Sequence, residues 1–302
     1  MVYVEEVKVN GKRYYKLVQA IRKGNKVTHK SKYVGKSLPN KSDLEKIKKN
    51  FLLDVLSEKS KYLSKEELEK VESKKEDNIS ENKKLSQTEK DNKLKEFVIR
   101  FTYDSSKLSG VRLTLRQTYL ILKEGIMPND LKNLKVVKGI ENHEKGIIII
   151  TLYKGSLTLK FIRRLHNVLL SGIDDEIAGK LRSELKRDVK IAGTSYVLSK
   201  WDCLDKELNS FFKWYKSENR KLHPLELAAL VHLKMISIQP FVDGNSRLSR
   251  LLMNWILWKK NYPFVNIPIE DIENYYNALD MYQVEKNEKP FIEYILKKYL
   301  KD

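Results

Sequence analysis

The most apolar stretch of the chain runs from Leu225 to Ile238, and its apolar residues fall on every side of a helix drawn through it. A helix that is apolar all round is typical of a buried one. Pro240 predicts the end of this helix, and Asp243-Gly244-Asn245 has the composition of a tight turn. Helical periodicity returns from Arg247 to Trp258. The pattern therefore predicts two helices joined by a tight loop.

Residues 1–36 show a different pattern, in which strand-like runs are separated by turn residues at Asn10-Gly11 and Gly24-Asn25. This spacing predicts a small antiparallel sheet of about three strands. Helical signals follow over residues 41–68, with Ser42 as the expected N-cap. The apolar positions of that helix are Leu44, Ile47, Phe51, Leu52 and Val55.

Residues 71–95 contain no aromatic residue and are typical of a charged linker or an exposed helix. The chain is accordingly divided into a small basic β element at residues 1–38, a helical and charged linker at residues 39–96, and a larger domain at residues 97–302. With 302 residues, of which 41% are hydrophobic, the chain can form a sizeable core.

Cys203 is the only cysteine, which excludes an internal disulfide and a metal cluster of the CxxC type. The sequence has no N-terminal apolar run and no apolar span of about 18 residues or more. We therefore expect a soluble, cytoplasmic protein that does not enter a membrane.

The charge is strongly positive, with 59 Lys and Arg against 40 Asp and Glu, a net charge of +19. Such an excess attracts polyanions through counterion release. Residues 1–36 hold ten Lys and Arg against two Glu, a surplus of eight, interleaved with tyrosines. A basic sheet with aromatic residues is a plausible nucleic-acid platform. We favour the alternative, a solvated lysine-rich surface like those of thermophile proteins. The tyrosines are Tyr3, Tyr14, Tyr15 and Tyr33.

The loop before Arg247 has the residues of an anion site. Free N–H groups at the start of the second helix, beside a glycine, form a concavity that suits phosphate. Arg247 and Arg250 share one helix face and can each bind phosphate oxygens. Asp243 is placed for a Mg²⁺ ion that bridges the phosphates. Taken alone, Asp-Gly-Asn is more often an ordinary loop with solvated neighbours.

Residues 239–250 resemble the signature loop of the Fic (Fido) nucleotidyl-transfer family, which reads His-Pro-Phe-x-Asp/Glu-Gly-Asn-Gly/Lys-Arg-x-x-Arg. The matching positions are Pro240, Phe241, Asp243, Gly244, Asn245, Arg247 and Arg250. Looser similarities extend over residues 97–302, at Asn142-His143, Leu165-His166, Gly179 to Arg182, Val189 to Val197, and Tyr275 to Leu279. The resemblance implies a mainly α Fic/Fido helical domain with a short β-hairpin flap, preceded by the small antiparallel β element and the helical linker.

The resemblance also implies roles for individual residues. Asp243 holds magnesium, Asn245 orients the α-phosphate, and Gly244 and Ser246 supply backbone N–H groups. Arg247 and Arg250 bind the distal phosphates, and Tyr275 or Tyr276 packs near the adenine. The flap binds a target peptide by strand addition through Val189, Ile191, Gly193 and Tyr196. The implied cofactors are ATP and Mg²⁺, and the implied reaction transfers AMP to a Ser, Thr or Tyr hydroxyl of a protein substrate.

Three positions depart from the family pattern. Gln239 replaces the catalytic histidine, and an amide cannot accept a proton. Because a positioned base contributes roughly 100- to 10,000-fold in rate, transfer should be weak or absent. Ser246 replaces the usual glycine or lysine, and it either narrows the anion pocket or merely adds a hydroxyl. Ser105 to Gly110 resembles the inhibitory motif, with Ser109 in place of its glutamate, so we expect Arg250 to be free.

The resulting hypothesis is a degenerate Fic protein that binds ATP and Mg²⁺. One alternative is residual adenylyl transfer; another is a nucleic-acid or protein-interaction module that uses the fold as a scaffold. No other histidine is expected to replace the missing base. His232 is predicted to be a packed, hydrogen-bonded core residue. His223-Pro224 is predicted to mark the start of a helix.

Overall fold

The computed structural model describes residues 2–23, 26–58, 60–191 and 193–301, without the side chains of residues 21–23 and 26. The N-terminal part is an antiparallel sheet of β1 (Val2–Val9), β2 (Lys12–Lys23) and β3 (Lys26–Gly35), in that spatial order. The predicted three-stranded sheet is therefore confirmed. Asn10 and Gly11 both have positive φ, 50° and 75°, as a tight hairpin turn requires. The predicted turn at Gly24-Asn25 lies outside the described residues.

One face of the sheet packs on α1 (Lys41–Ser57). Leu17 of β2 is buried there with Phe51 and Val55 of the helix. The N-cap of α1 is Asn40, whose side-chain oxygen accepts the backbone N–H of Asp43 at 2.9 Å. The prediction of Ser42 as N-cap is therefore wrong by two positions, since both residue types can cap and the backbone turns earlier.

Two further helices follow, α2 (Lys65–Lys84) and α3 (Gln87–Lys107), and each begins with a complete capping box. The segment predicted as a linker is thus helical, but it is not simply exposed. Leu68 and Val71 of α2 are fully buried in the main hydrophobic core. Residue 97, the expected boundary, lies inside α3.

A carboxylate fixes the connection between α1 and α2. Glu226, buried in the first turn of α8 (Pro224–Ile238), accepts the backbone N–H groups of Lys61, Tyr62 and Leu63 at 2.7–3.1 Å. It also accepts the hydroxyl of Ser60 at 2.7 Å. These bonds attach the N-terminal helices to the larger domain.

The larger domain is helical, which confirms the predicted fold class. Its helices are α4 (Leu115–Tyr119), followed by a π-helical turn (Leu120–Glu124), α5 (Leu134–Leu152), α6 (Leu159–Leu170), α7 (Leu204–Glu218), α8 (Pro224–Ile238), α9 (Asn245–Lys259), α10 (Ile272–Gln283) and α11 (Lys289–Lys301). Helix α8 is buried over most of its length, and α9 packs along it. Helices α5 and α6 contact α9, while α7 and α11 contact α8. The two predicted helices are therefore the centre of the domain.

Among the described helices, none is both long and apolar enough to cross a membrane.

Candidate functional site

The loop between α8 and α9 turns through two left-handed residues. Gln239 ends α8 at φ 48°, and Gly244 begins α9 at φ 78°. A Cβ added to Gly244 would lie 2.9 Å from Leu170 Cδ2 and 3.1 Å from His166 Nε2. Glycine is therefore required there by backbone conformation and by space. The loop brings the free N–H groups of α9 to its rim.

Asn245 closes this loop with its side chain. Its Oδ1 accepts the N–H of Phe241 at 3.0 Å, and its Nδ2 donates to the carbonyl of the same residue at 2.8 Å. The side chain predicted to orient an α-phosphate thus holds the loop backbone in this structure. Buried Arg182 supports the same loop, since its Nε donates to the carbonyl of Gln239 at 2.9 Å.

His166 lies directly under the loop. Its Nδ1 accepts the N–H of Gly179 at 2.9 Å, so the proton is on Nε2, which donates to the carbonyl of Asp243 at 2.8 Å. The ring stacks on Phe241 at a centroid distance of 3.7 Å. Burial lowers the pKa of His166 to about 4, a shift that the charge of Arg247 reinforces. This histidine is therefore neutral at pH 7 and positions the loop.

Gln239 occupies the expected position of the catalytic histidine and is half-buried. Its Nε2 donates to the carbonyl of Ile236 at 2.8 Å. The amide therefore bonds back to its own helix. It offers no proton acceptor comparable to an imidazole nitrogen.

Asp243 and Arg247 form a pair at the mouth of the loop, with Asp243 Oδ2 3.6 Å from an Arg247 nitrogen. The Asp243 side chain is 70% exposed, whereas that of Arg247 is 11% exposed. Desolvation lowers the pKa of Arg247, and the nearby Asp243 carboxylate partly offsets this effect. No acceptor among the described residues meets the buried Nε of Arg247. This guanidinium thus keeps an unused donor near the loop.

Arg250 is fully buried and hydrogen-bonded to serines, so the expectation that it would be free is wrong. Its Nε donates to Ser105 Oγ at 2.8 Å, and one NH₂ group donates to the Ser105 carbonyl at 2.7 Å and to Ser109 Oγ at 2.9 Å. Its other NH₂ group donates to Ser246 Oγ at 2.6 Å. Hydroxyls accept the bonds that a carboxylate would have taken. Gly110, which completes the predicted inhibitory motif, follows at φ 82° and is exposed.

The two tyrosines predicted near the adenine have different environments. Tyr275 is fully buried, and its hydroxyl lies 3.0 Å from His232 Nε2. Tyr276 is 44% exposed, and its hydroxyl donates to the carbonyl of Leu108 at 3.2 Å. Only Tyr276 of this pair presents its ring to a ligand. The prediction that His232 is a hydrogen-bonded core residue is confirmed.

The region predicted as a flap is an extended segment with no strand among its described residues. Val189 and Ile191 are half-buried, and Gly193 turns the chain at φ 80° in open space. The hydroxyl of Tyr196 donates to the carbonyl of Ser237 at 3.2 Å, at the end of α8. The segment therefore borders the loop without the expected hairpin.

The structure thus gathers Gln239, Asp243, Asn245, Arg247 and Arg250 around one loop. His223 caps α8 and Pro224 is its first residue, as predicted. The positioning roles of His166 and Arg182 were missed by sequence reasoning. Their only sequence signal was their place in the looser similarities, because each acts on the loop backbone from a distant part of the chain.

Comparison with known proteins agrees with this geometry. The sequence model of the Fic/DOC family matches residues 156–257, which include the loop and most of α9. The chain carries a Fic domain.

Curated relatives of this Fic-domain chain include "Protein adenylyltransferase Fic" of Drosophila melanogaster, 34% identical over 205 residues, and that of Drosophila virilis, 35% identical over 205 residues. Each alignment covers 67% of this chain. The chain spans only about 40% of the length of these relatives.

Solved structures match over more of the Fic-domain chain. A Fic domain containing signaling protein from Bacteroides thetaiotaomicron is 29% identical, with a TM-score of 0.68, covering 78% of this chain and 93% of that one. Fic-1 (residues 134–508) from C. elegans has a TM-score of 0.66 at 21% identity, covering 87% of this chain and 75% of that one, and supports the fold alone.

Proposed function

We propose that the chain binds ATP with Mg²⁺ at the Gln239–Arg250 loop and that its AMP transfer to a protein hydroxyl is weak or absent. The observation that carries the proposal is the convergence of two buried guanidinium groups, those of Arg247 and Arg250, on the first turns of α9. Burying two like charges without a carboxylate partner for each is costly. A polyphosphate anion would neutralise both.

The N-terminus of α9 supports the same ligand. Gly244 and Asn245 start this helix, and helix N-termini favour phosphate through free N–H groups and the helix dipole. Arg247 adds an unused Nε donor at that point. The relatives named protein adenylyltransferase carry the proposal of ATP as the nucleotide.

The residues of the loop fit a magnesium ion that is coordinated jointly by the protein and by the phosphates of the nucleotide. Among the described residues there is no cluster of three or more His, Cys, Asp or Glu side chains that could hold a metal ion alone. Mg²⁺ commonly takes one or two carboxylates and completes its shell with phosphates and water. The exposed Asp243 is suited to be that one carboxylate, with the ion neutralising phosphate charge.

In the structure, serine contacts hold the Arg250 side chain that is proposed to bind the distal phosphates. Four hydrogen bonds to Ser105, Ser109 and Ser246 occupy the guanidinium in the structure. Binding of distal phosphates by Arg250 requires that some of these bonds be exchanged. Each is a bond to a neutral acceptor, typically worth less than a bond to a carboxylate.

The first test is calorimetric titration of ATP with Mg²⁺ into the wild type, Arg247→Ala and Arg13→Ala. Loss of a charge-assisted contact of about 1.5–3 kcal/mol predicts an affinity roughly 10- to 150-fold lower in Arg247→Ala. Arg13 lies on the sheet with a 65% exposed side chain, so its replacement should leave the affinity unchanged. Absence of ATP binding by the folded wild type would refute the nucleotide site.

The second test asks whether the site lacks only a catalytic base for AMP transfer. Gln239→His places an imidazole where the amide now lies, and histidine tolerates the left-handed backbone about as well as glutamine. The assay measures the rate at which protein is covalently labelled from ATP with a radioactive α-phosphate. We expect this rate to be roughly 100- to 10,000-fold higher with Gln239→His than with the wild type. Gln239→Ala is the matched control. Equal labelling by all three proteins, with ATP bound by each, would refute the assignment of Gln239 to the base position.

A further inference from the structure

Among the described helices, α1 is the one that packs closely on the N-terminal sheet, and it covers one face. Strand alternation and the observed register place on the opposite face Tyr3 with Val18, Val7 with Tyr14, Val9 with Lys12, and Lys16 with Glu5 and Tyr33. We define the outer face as these residues. Leu17 and Val4 point the other way, toward α1.

The outer face contains a hollow of about 350 Å³. Its lining residues are Val7, Val9, Tyr14, Tyr15, Lys16, Ser31 and Tyr33. The rings of Tyr14 and Tyr33 stand 6.2 Å apart between centroids, at 51° to each other. Tyr33 is 61% exposed and Val9 51% exposed. A large aromatic ring so open to water beside an apolar hollow offers a stacking surface for a planar group.

Positive charge lies beside the same hollow. Lys12 and Lys36 are exposed, and no described carboxylate lies within ion-pair distance of either. Lys12 pairs with Val9, and Lys36 follows Gly35, which pairs with Tyr15. The two glutamates of the sheet are already paired, Glu5 with Lys16 at 3.4 Å and Glu6 with Arg13 at 3.5 Å.

We propose that the outer face binds single-stranded nucleic acid, with an unpaired base on Tyr33 and the backbone phosphates on Lys12 and Lys36. Aromatic side chains on a basic surface are the general means of binding single strands. A protein-binding surface, by contrast, is typically depleted of lysine. Sequence reasoning favoured a merely solvated surface. The structure changes that balance, because it brings the ring and the unpaired lysines together at one end of the sheet.

The test is fluorescence anisotropy of a labelled, mixed-sequence DNA single strand and of its duplex, titrated with the full chain at several salt concentrations. We expect saturable binding of the single strand. The logarithm of its association constant should fall linearly with the logarithm of the salt concentration, with a slope of about −1.4 for two phosphate contacts. Excess ATP with Mg²⁺ should not compete, since the proposed nucleotide site is elsewhere.

Variants locate the binding. Tyr33→Ala should weaken single-strand binding roughly 5- to 150-fold, as expected for loss of one stacked base, while Tyr33→Phe retains it. Tyr119→Ala is the matched control, because Tyr119 is 43% exposed and lies outside the sheet. Replacing Lys12 and Lys36 with Gln should flatten the salt slope. No binding, equal binding by Tyr33→Ala, or duplex binding as tight as that of the single strand would each overturn the proposal.

Discussion

Ser109 offers a sharp test of how Arg250 is held, because two substitutions there should act in opposite directions. The wild-type contact is a hydrogen bond of 2.9 Å from a fully buried guanidinium to a neutral hydroxyl. Because the guanidinium is charged, this bond is already charge-assisted and contributes about 1.5–3 kcal/mol. A carboxylate at residue 109 adds ion-pair attraction, so Ser109→Glu should strengthen the contact by about 1–2 kcal/mol, and Ser109→Ala should remove about 1.5 kcal/mol.

If Arg250 must leave residue 109 to bind the distal phosphates, a stronger contact between them weakens ATP binding and a weaker contact tightens it. Ser109→Glu should weaken ATP binding roughly 5- to 30-fold, and Ser109→Ala should tighten it by up to about 10-fold. Calorimetric titration at one fixed salt concentration measures both. Ser109→Gln, which has the size of glutamate without its charge, is the control and should lie between them. Tighter binding by Ser109→Glu, or shifts of both variants in one direction, would refute the reasoning.

Three further outcomes are expected. Gly244→Ala should lower the free energy of unfolding in urea by about 1–3 kcal/mol, since a Cβ at that φ meets Leu170 and His166; an unchanged midpoint would contradict it. Burial lowers the pKa of His166 to about 4 and that of His232 to about 3, so the unfolded chain binds more protons, and unfolding free energy should fall as pH drops from about 6.5 toward 4. Histidine NMR should then show both rings neutral at pH 5. Glu226→Ala should cost about 3–5 kcal/mol by leaving several N–H groups unsatisfied, and Glu226→Gln, which keeps an acceptor, should cost less in the same urea titration.

The parts of the fold that sequence predicted correctly are encoded locally. Pro240 and Gly244 mark the loop because one cannot continue a helix and the other adopts a conformation that most residues avoid. The all-round apolar pattern of α8 similarly identified the central helix. The N-cap of α1 could not be fixed in this way, since Asn40 and Ser42 are equally good caps two positions apart.

The parts that sequence did not predict depend on contacts between distant segments. Two partners of Arg250, Ser105 on α3 and Ser109 just after it, are 145 and 141 residues away, and neither serine carries a charge that would indicate a pairing. Glu226 has no distinguishing sequence signal, although its acceptor bonds reach residues 163 to 166 positions earlier. Arg182 acts on a carbonyl, which every residue has. Such pairs are fixed by packing, not by local propensity.

Among the described side chains, the hydrophobic cluster beneath the sheet has three buried members, Leu17, Phe51 and Val55. The loop of Gln239–Arg250, in contrast, rests on a continuous core that includes nearly all of α8. Regions with few buried contacts open at a lower free energy than the rest of a protein. Warming should therefore melt the sheet first, as an early calorimetric shoulder with rapid amide exchange confined to β1–β3. Over that interval of temperature the chain would lose its outer face and keep the loop of Gln239–Arg250 folded.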